Sequence, residues 1–251
     1  VYIYVHVHAY TTDFVDAASR MSPRIGSDEA GKGPVVGQMG CAAGSAAPSA
    51  LPDGIDDSKR LSASTRERLQ ETLESHTAIE IGTAVIPVAQ IDNPRTDMNT
   101  ITVNGHAAAI ADIDGIAEFG GTVVADASDV SESRFRTRLE AGLNDECEAI
   151  EVSNRDQWRI EARHGADTDD PLVAAASVIA TVRRDEQMTT LAETYDTYGP
   201  IGSGYPSDQT TRSFLRRYIR ANGEIPACAR RSWATVDDIL ESVEQSSLFD
   251  L

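Results

Sequence analysis

At 251 residues and 27.0 kDa the chain can bury one large core without disulfides or metals as staples, and a hydrophobic fraction of 41% excludes a disordered polymer. Forty acidic residues against 22 basic ones leave a formal charge of −18, and Lys32 and Lys59 are the only lysines; this excess is screened at molar salt, where the Debye length is about 3 Å, so it reads as adaptation to high salt and does not exclude a nucleic-acid partner. Three widely spaced cysteines (Cys41, Cys147 and Cys228) argue against a disulfide framework and for a reducing, cytoplasmic setting, and no run of 18 apolar residues is present to span a membrane.

Val1–Tyr10 alternates aromatic, histidine and β-branched residues as a strand does. Met21 lies directly before an ordered-looking segment, so residues 1–20 are expected to be an extension and Met21 the functional start. His6 and His8 lack third and fourth partners, a weak metal pattern. From Arg24 the pattern is α/β. A strand runs to about Ser27, a Gly-rich turn follows, and Val35–Ala43 is a second strand. Pro48–Asp57 is loop, and Ser62 or Ser64 caps a helix over Thr65–Ser75. A strand over Ala78–Val88 precedes a long helix of small apolar residues, Asn99–Phe119. Thr122–Ala125 is a buried strand ending at Asp126, followed by a helix over Glu132–Ala141 and a strand over Glu148–Ser153. Pro171 opens a helix that continues through Leu172–Ala192. Tyr195–Ser207 is loop, and Thr210–Ala221 and Thr235–Glu244 are helices. This alternation predicts an α/β fold, a mixed sheet covered by helices with a helical C-terminal module.

The most informative segment is Gly26-Ser27-Asp28-Glu29-Ala30-Gly31-Lys32-Gly33-Pro34. It fails as a Walker A loop. Gly33 stands where Ser or Thr should hold magnesium, and Asp28 and Glu29 would repel a triphosphate. Gly31, Gly33 and Gly37 also miss the dinucleotide-binding spacing. Adjacent carboxylates at a strand end require cations if both are buried. The Gly-Lys-Gly turn beside them offers backbone amides and one ammonium, a combination suited to phosphate. Together they point to divalent-metal chemistry on a phosphodiester. Asp126 closes an apolar strand and Asp167 precedes the helix at Pro171; taken alone each reads more readily as a cap or a solvated acid, and Asp129 and Asp170 are better read that way.

The segment GSDEAGKGPVVG resembles the DEAG(R)G signature of type 2 ribonucleases H, the ribonuclease HII family, especially its archaeal branch. Four further segments match in order. Asp57-Ser58-Lys59-Arg60-Leu61 is similar to the family's DSKxL element. Ala125–Val130 resembles the segment with its third acid. Arg163–Asp167 with Ala175–Ala180 resembles the segment with its fourth, and Gly202–Asp208 its tyrosine loop. Lys32 stands where Arg is usual, and Thr181 where Lys often follows. The resemblance implies an RNase H-like catalytic domain over 21–207. It also implies an endoribonuclease that cuts the RNA strand of RNA–DNA hybrids and nicks at ribonucleotides in duplex DNA, leaving 5′-phosphate and 3′-hydroxyl ends. Asp28, Glu29, Asp126 and Asp167 would hold two Mg²⁺ or Mn²⁺ ions and no protein nucleophile would be needed. Gly31, Lys32 and Gly33 would contact the 2′-hydroxyl and phosphate, Lys59 would assist in binding, and Tyr205 would stack beyond the RNA–DNA junction. The alternatives are another two-metal nuclease of this fold, or a non-catalytic hybrid-binding protein.

Residues 209–233 carry six arginines against one acid, Glu224. Arg212, Arg216 and Arg220 recur every four residues and form one stripe on a helix, read as a phosphate-tracking surface in a substrate-binding module over 208–244. The final residues, 245–251, resemble a sliding-clamp-binding tail, with Gln245, Leu248 and Leu251 as contacts and Phe249 displaced from its usual place. The protein is expected to be monomeric.

Overall fold

The computed structural model describes residues 23–116, 121–149 and 158–249. The N-terminal strand with His6 and His8, the end of the helix expected to reach Phe119, most of the strand expected over Glu148–Ser153, and Leu251 lie outside these residues. The sheet comprises β1 (Arg24–Ala30), β2 (Met39–Ala46), β3 (Ile79–Ile86), β4 (Gly121–Asp126) and β5 (Trp158–Arg163), in the order β3-β2-β1-β4-β5. β1 and β2 pair antiparallel, as do β2 and β3, whereas β4 runs parallel to β1 and β5 parallel to β4. The carboxyl ends of β1, β4 and β5 therefore lie along one edge of the fold.

Alternation along the strands divides the core in two. Ile25, Met39, Cys41, Val123 and Ala125 face the helices formed next in the chain, with α1 (Ala63–Ser75) on the other side: α2 (Met98–Ala111) and α3 (Glu132–Ala149) bring Ile101, Ile110, Phe135, Leu139 and Leu143 onto them. Each such side chain, fully buried, contributes about 1.5–3 kcal/mol. On the opposite face α4 (Pro171–Thr194) packs Ala175, Ala176 and Ile179 against Ala42, with Leu73 of α1 beside them. The start of α4 lies almost on β1. A Cβ at Gly26 would come within 2.2 Å of the Leu172 carbonyl carbon and 2.3 Å of the Val173 nitrogen, so only glycine permits this approach. Asp170 caps α4 by accepting from the Leu172 amide, and Pro171 occupies its first turn.

A second apolar cluster joins α5 (Gln209–Asn222) and α6 (Ala234–Phe249). Phe214, Leu215, Ile219, Val236 and Ile239 enclose Val35, Val36 and Ile201. Val35 and Val36 thus serve this cluster and not β2, which starts only at Met39, after a turn in which Gly37 adopts φ 94°. α2 stops at Ala111, short of Phe119, because the Asp112 carboxylate turns back to accept from the Thr83 amide at 2.9 Å and Gly115 takes a positive φ of 69°. Glu148 lies in the last turn of α3, and the strand that pairs with β4 is Trp158–Arg163. α6 runs to Phe249 because no glycine or proline interrupts it after Glu244, so Gln245–Phe249 are helical. No helix of the described residues is long and apolar enough to cross a membrane.

Candidate functional site

The pairing of β1 with β4 sets the site. Ser27 lies opposite Ala125, so the next residues, Asp28 and Asp126, emerge side by side on the face covered by α4. Asp167 reaches the same point from the short turn Ala166–Thr168 that leads into α4. Carboxylate oxygens of Asp28, Asp126 and Asp167 all lie within 4.8 Å of one another. Asp28 and Asp167 are buried and Asp126 is half-buried. The Ala166 amide donates to Asp126 Oδ1 at 2.9 Å, and the Glu29 amide donates to Asp28 Oδ1 at 2.7 Å. Ser177 hydrogen-bonds Asp28 and continues into a hydroxyl chain, with Ser58 Oγ 2.9 Å from Ser177 Oγ and Thr181 Oγ1 3.0 Å from Ser58 Oγ. Thr181 closes this chain.

Glu29 takes the other direction. Neighbouring residues of a strand point to opposite faces, so Glu29 turns toward α2, where its Oε2 lies 2.9 Å from His106 Nε2. His106 is fully buried, and its Nδ1 lies 2.8 Å from Ser27 Oγ. Ser27, His106 and Glu29 thus form a line resembling a nucleophile triad, but Ser27 and His106 are 0% exposed and no substrate can reach the hydroxyl. The line instead orients Glu29.

The electrostatics follow this division. Burial, then the charges of Glu29 and Asp126, push the Asp28 carboxyl well above its usual range. Burial, opposed by the Ala166 amide and reinforced by Asp167 and Glu29, also raises Asp126. Burial acts upward on Glu29 too, but the His106 hydrogen bond and charge and the Lys32 ammonium bring it below its usual range. Lys59 Nζ lies 3.3 Å from Asp167 and 3.9 Å from Asp57. Burial disfavours its charge, yet Asp167 and Asp57 prevail and raise its pKa. One exposed ammonium does not neutralise this many carboxylates. A compact, oxygen-only donor set is suited to a hard divalent cation.

The Gly31–Gly33 turn continues directly from β1. Gly31 adopts φ 90°, and Lys32 Nζ reaches Asn99 Oδ1 at 3.2 Å and the Ser128 carbonyl. Gly33 is exposed, and a Cβ there would lie 3.6 Å from the Tyr205 ring. Tyr205 is 43% exposed, an unusual state for a large aromatic side chain. The Arg184 guanidinium lies 5.2 Å from the Tyr205 ring centroid and donates to the Ser203 carbonyl at 2.6 Å. Asp208 accepts from the Ser203 amide at 2.6 Å and the Thr210 amide at 2.9 Å; the Ser203 amide first, then the Thr210 amide, draw its pKa down to about 2.

The structure therefore brings together Asp28, Asp126, Asp167 and Lys59, with Glu29 on the far face of β1, and sets Gly31, Lys32 and Gly33 beside Tyr205. Arg212, on α5, lies 3.4 Å from the Pro206 carbonyl and 3.8 Å from Asp238. Arg216 is half-buried on the same helix, and Gln245 is exposed near the end of α6. Arg230 belongs to the sequence-derived basic region but not to its surface, since its side chain is 0% exposed. Asp170 pairs with Arg24 at 2.7 Å and Asp129 pairs with Arg134, in agreement with structural roles. His106, Arg184, Arg230 and Trp233 are the site-supporting residues that sequence reasoning missed. A lone histidine within an alanine-rich apolar helix was the one available signal.

The family model for Ribonuclease HII matches residues 25–236. Ribonuclease HII of Halobacterium salinarum is 46% identical over 227 residues, covering 90% of this chain and 98% of the relative. That of Haloarcula marismortui is 47% identical over 229 residues, covering 90% and 99%. Among solved structures, the ribonuclease H2 of Pyrococcus horikoshii superposes with a TM-score of 0.74 at 28% identity, covering 88% of this chain and 99% of its own. The RNase HII of Archaeoglobus fulgidus, determined as a complex with PCNA, gives 0.69 at 32% identity, covering 86% and 96%.

Proposed function

Because this chain belongs to the ribonuclease HII family, we propose that the acids at the ends of β1 and β4 cut the RNA strand of RNA–DNA hybrids and nick duplex DNA at embedded ribonucleotides, leaving 5′-phosphate and 3′-hydroxyl ends. The protein is an endoribonuclease of RNase H-like fold. The observation that carries the reading is the convergence of Asp28, Asp126 and Asp167 within 4.8 Å. These three, with Glu29 from the other face of β1, would hold Mg²⁺ or Mn²⁺. When bound, such ions supply a water acidic enough to attack at neutral pH and charge to offset that of the phosphate.

The chain's own residues do the rest. Lys59 holds Asp167 in place and adds one positive charge at the edge of the cluster. The amides of the Gly31–Gly33 turn and the Lys32 ammonium receive the 2′-hydroxyl and phosphate of the ribonucleotide, the feature that separates RNA from DNA. Tyr205, with its ring exposed beside Gly33, stacks on the next sugar or base. Arg212 and Arg216 follow the duplex backbone from α5. No side chain acts as nucleophile, which agrees with the burial of Ser27. Residues 21–207 form the catalytic part and 208–244 the substrate-gripping part of a monomeric, cytoplasmic protein suited to high salt.

Cleavage of a labelled duplex containing one ribonucleotide, with and without Mg²⁺ at molar KCl, tests the reading. Cation-dependent nicking at the ribonucleotide is expected. Binding without cleavage would leave a hybrid-binding protein, and cleavage of all-DNA duplex would leave another nuclease of this fold.

The end of α6 is assigned to a sliding clamp. The support is the Gln245–Leu248–Leu251 pattern, the exposure of Gln245 and the PCNA complex of the Archaeoglobus fulgidus relative. Deleting residues 245–251 should leave cleavage of a short free duplex unchanged and abolish clamp binding by calorimetry. Leu248→Ala alone should weaken that binding about tenfold.

A further inference from the structure

Arg230 is among the largest fully buried side chains of the molecule, and the acids of the cluster are not its partners. Its guanidinium instead donates to four backbone carbonyls: Gly31 at 2.6 Å, Lys32 at 2.9 Å, Gly37 at 2.8 Å and Gln38 at 3.1 Å. The Trp233 ring lies 5.0 Å from its Cζ, and Trp233 Nε1 donates to the Gly33 carbonyl at 3.2 Å. Three consecutive carbonyls, of Gly31, Lys32 and Gly33, are thus held by two side chains about 200 residues away. Burial, and then Arg184, lower the Arg230 pKa to about 10, which still leaves it charged at neutral pH.

The segment bearing these side chains is itself anchored. Asp92 accepts from the Arg231 amide at 2.8 Å and from the Ser232 amide at 3.0 Å and hydroxyl at 2.6 Å. The Arg230 amide donates to the Val35 carbonyl at 2.8 Å, and the Gly37 amide donates to the Cys228 carbonyl at 2.8 Å.

Peptide planarity gives this arrangement a consequence for substrate reading. In a trans peptide the carbonyl and the following N–H point in opposite directions, and no cis peptide occurs among the described residues. Turning the Gly31 and Lys32 carbonyls inward onto Arg230 therefore turns the Lys32 and Gly33 amides outward. These are the amides assigned to the ribonucleotide. A glycine turn has many conformations open to it, and the planar guanidinium fork selects one.

We propose that Arg230, assisted by Trp233, is a positioning residue for ribose discrimination: it fixes the Gly31–Gly33 turn with its amides facing the 2′-hydroxyl. The proposal rests on the reading of that turn given above. Lysine would keep the charge but not the fork, and one ammonium cannot serve four carbonyls spread around a plane.

The test is binding by fluorescence anisotropy, in cleavage-deficient Asp126→Asn protein with Mg²⁺ at molar KCl, to two duplexes that differ only in one ribonucleotide. Asp126→Asn should prefer the ribonucleotide duplex. Adding Arg230→Lys should reduce that preference about tenfold while affinity for all-DNA duplex, set by phosphate contacts, stays within about twofold. Trp233→Phe, which removes one N–H and keeps an aromatic ring, should reduce it about threefold and decides the matter if Arg230→Lys does not melt cooperatively. Equal binding by Asp126→Asn itself would remove the ribose-reading role of the turn, and the inference with it. A preference present there and unchanged by these substitutions would overturn the inference alone.

Discussion

Only Ala30 separates Asp28-Glu29 from the Gly31–Gly33 turn in the chain, yet the acid cluster and the turn are held by opposite means. The cluster is placed by sheet register: Asp28 and Asp126 are neighbours because β1 and β4 are parallel neighbours, and little in the metal-free protein offsets their mutual repulsion. The turn has no regular structure and is shaped by attraction, through Arg230 and Trp233 on its carbonyls. A site of this kind combines a region that the fold holds together against its own charge with a region that the fold has to create. Loss of a side chain should therefore have opposite effects on stability in the two.

The largest expected effect is on turnover. Asp126→Asn should lower cleavage by about a thousandfold or more, since a lost metal ligand costs several kcal/mol of transition-state stabilisation. The same variant, melted in chelator and followed by circular dichroism, should be as stable as the parent or more so. Near-normal turnover would remove Asp126 from the chemistry. Arg230→Met should move stability the other way. Four carbonyls would lose their donor, at a combined cost of roughly 3–5 kcal/mol, or on the order of 10 °C in melting temperature for a chain of this size. A Tm within a degree or two of the parent would mean that something other than Arg230 shapes the turn.

His106→Ala tests the boundary between the regions, because His106 orients the one acid that faces away from the cluster. Mn²⁺ affinity by calorimetry should fall about 10–100-fold, with partial recovery in His106→Gln, which keeps a donor for Glu29. Unchanged affinity would show that metal binding does not depend on His106 orienting Glu29.

The smallest effect concerns pH. The folded pKa of Asp28 lies above its unfolded value of about 3.9, so its contribution to stability is fully present below that value and is lost as pH rises through the folded pKa. In chelator, Asp28→Asn should therefore melt a few degrees above the parent at pH 7, with the gap closing toward pH 4 and shrinking when Mg²⁺ is added. A gap that widens at low pH would contradict the assigned direction.

The two regions also differed in how well the sequence foretold them. Asp28, Asp126 and Asp167 are singled out by the resemblance to the family's motifs; ending or preceding an apolar run is a local pattern that Asp170 shares and does not by itself choose among them. The two-residue period of a strand also implied that Asp28 and Glu29 could not face the same way. The motif presents them as one group, whereas in the structure Glu29 turns to His106 and the compact group is Asp28, Asp126 and Asp167. Val35 and Val36 are apolar and β-branched and so suggest the start of β2, but they pack against α5 and α6, which only tertiary structure reveals. Arg230 falls in the same arginine-rich region, 209–233, as the Arg212–Arg216–Arg220 stripe, and its burial is equally invisible in the sequence. Its charge is visible in the sequence, whereas its carbonyl partners are defined by a fold that returns the chain to its beginning.

That return has a consequence for the order in which the protein is made. A chain emerging from the ribosome completes β1, β4 and the start of α4, and with them all four acids, by about residue 175. The donors for the Gly31, Lys32 and Gly33 carbonyls do not exist until residues 230 and 233 have been added. At about 5–20 residues per second, this is a delay of several seconds. Throughout that interval the nascent chain carries all the acids proposed to hold metal and none of the bonds from Arg230 and Trp233 that shape the Gly31–Gly33 turn.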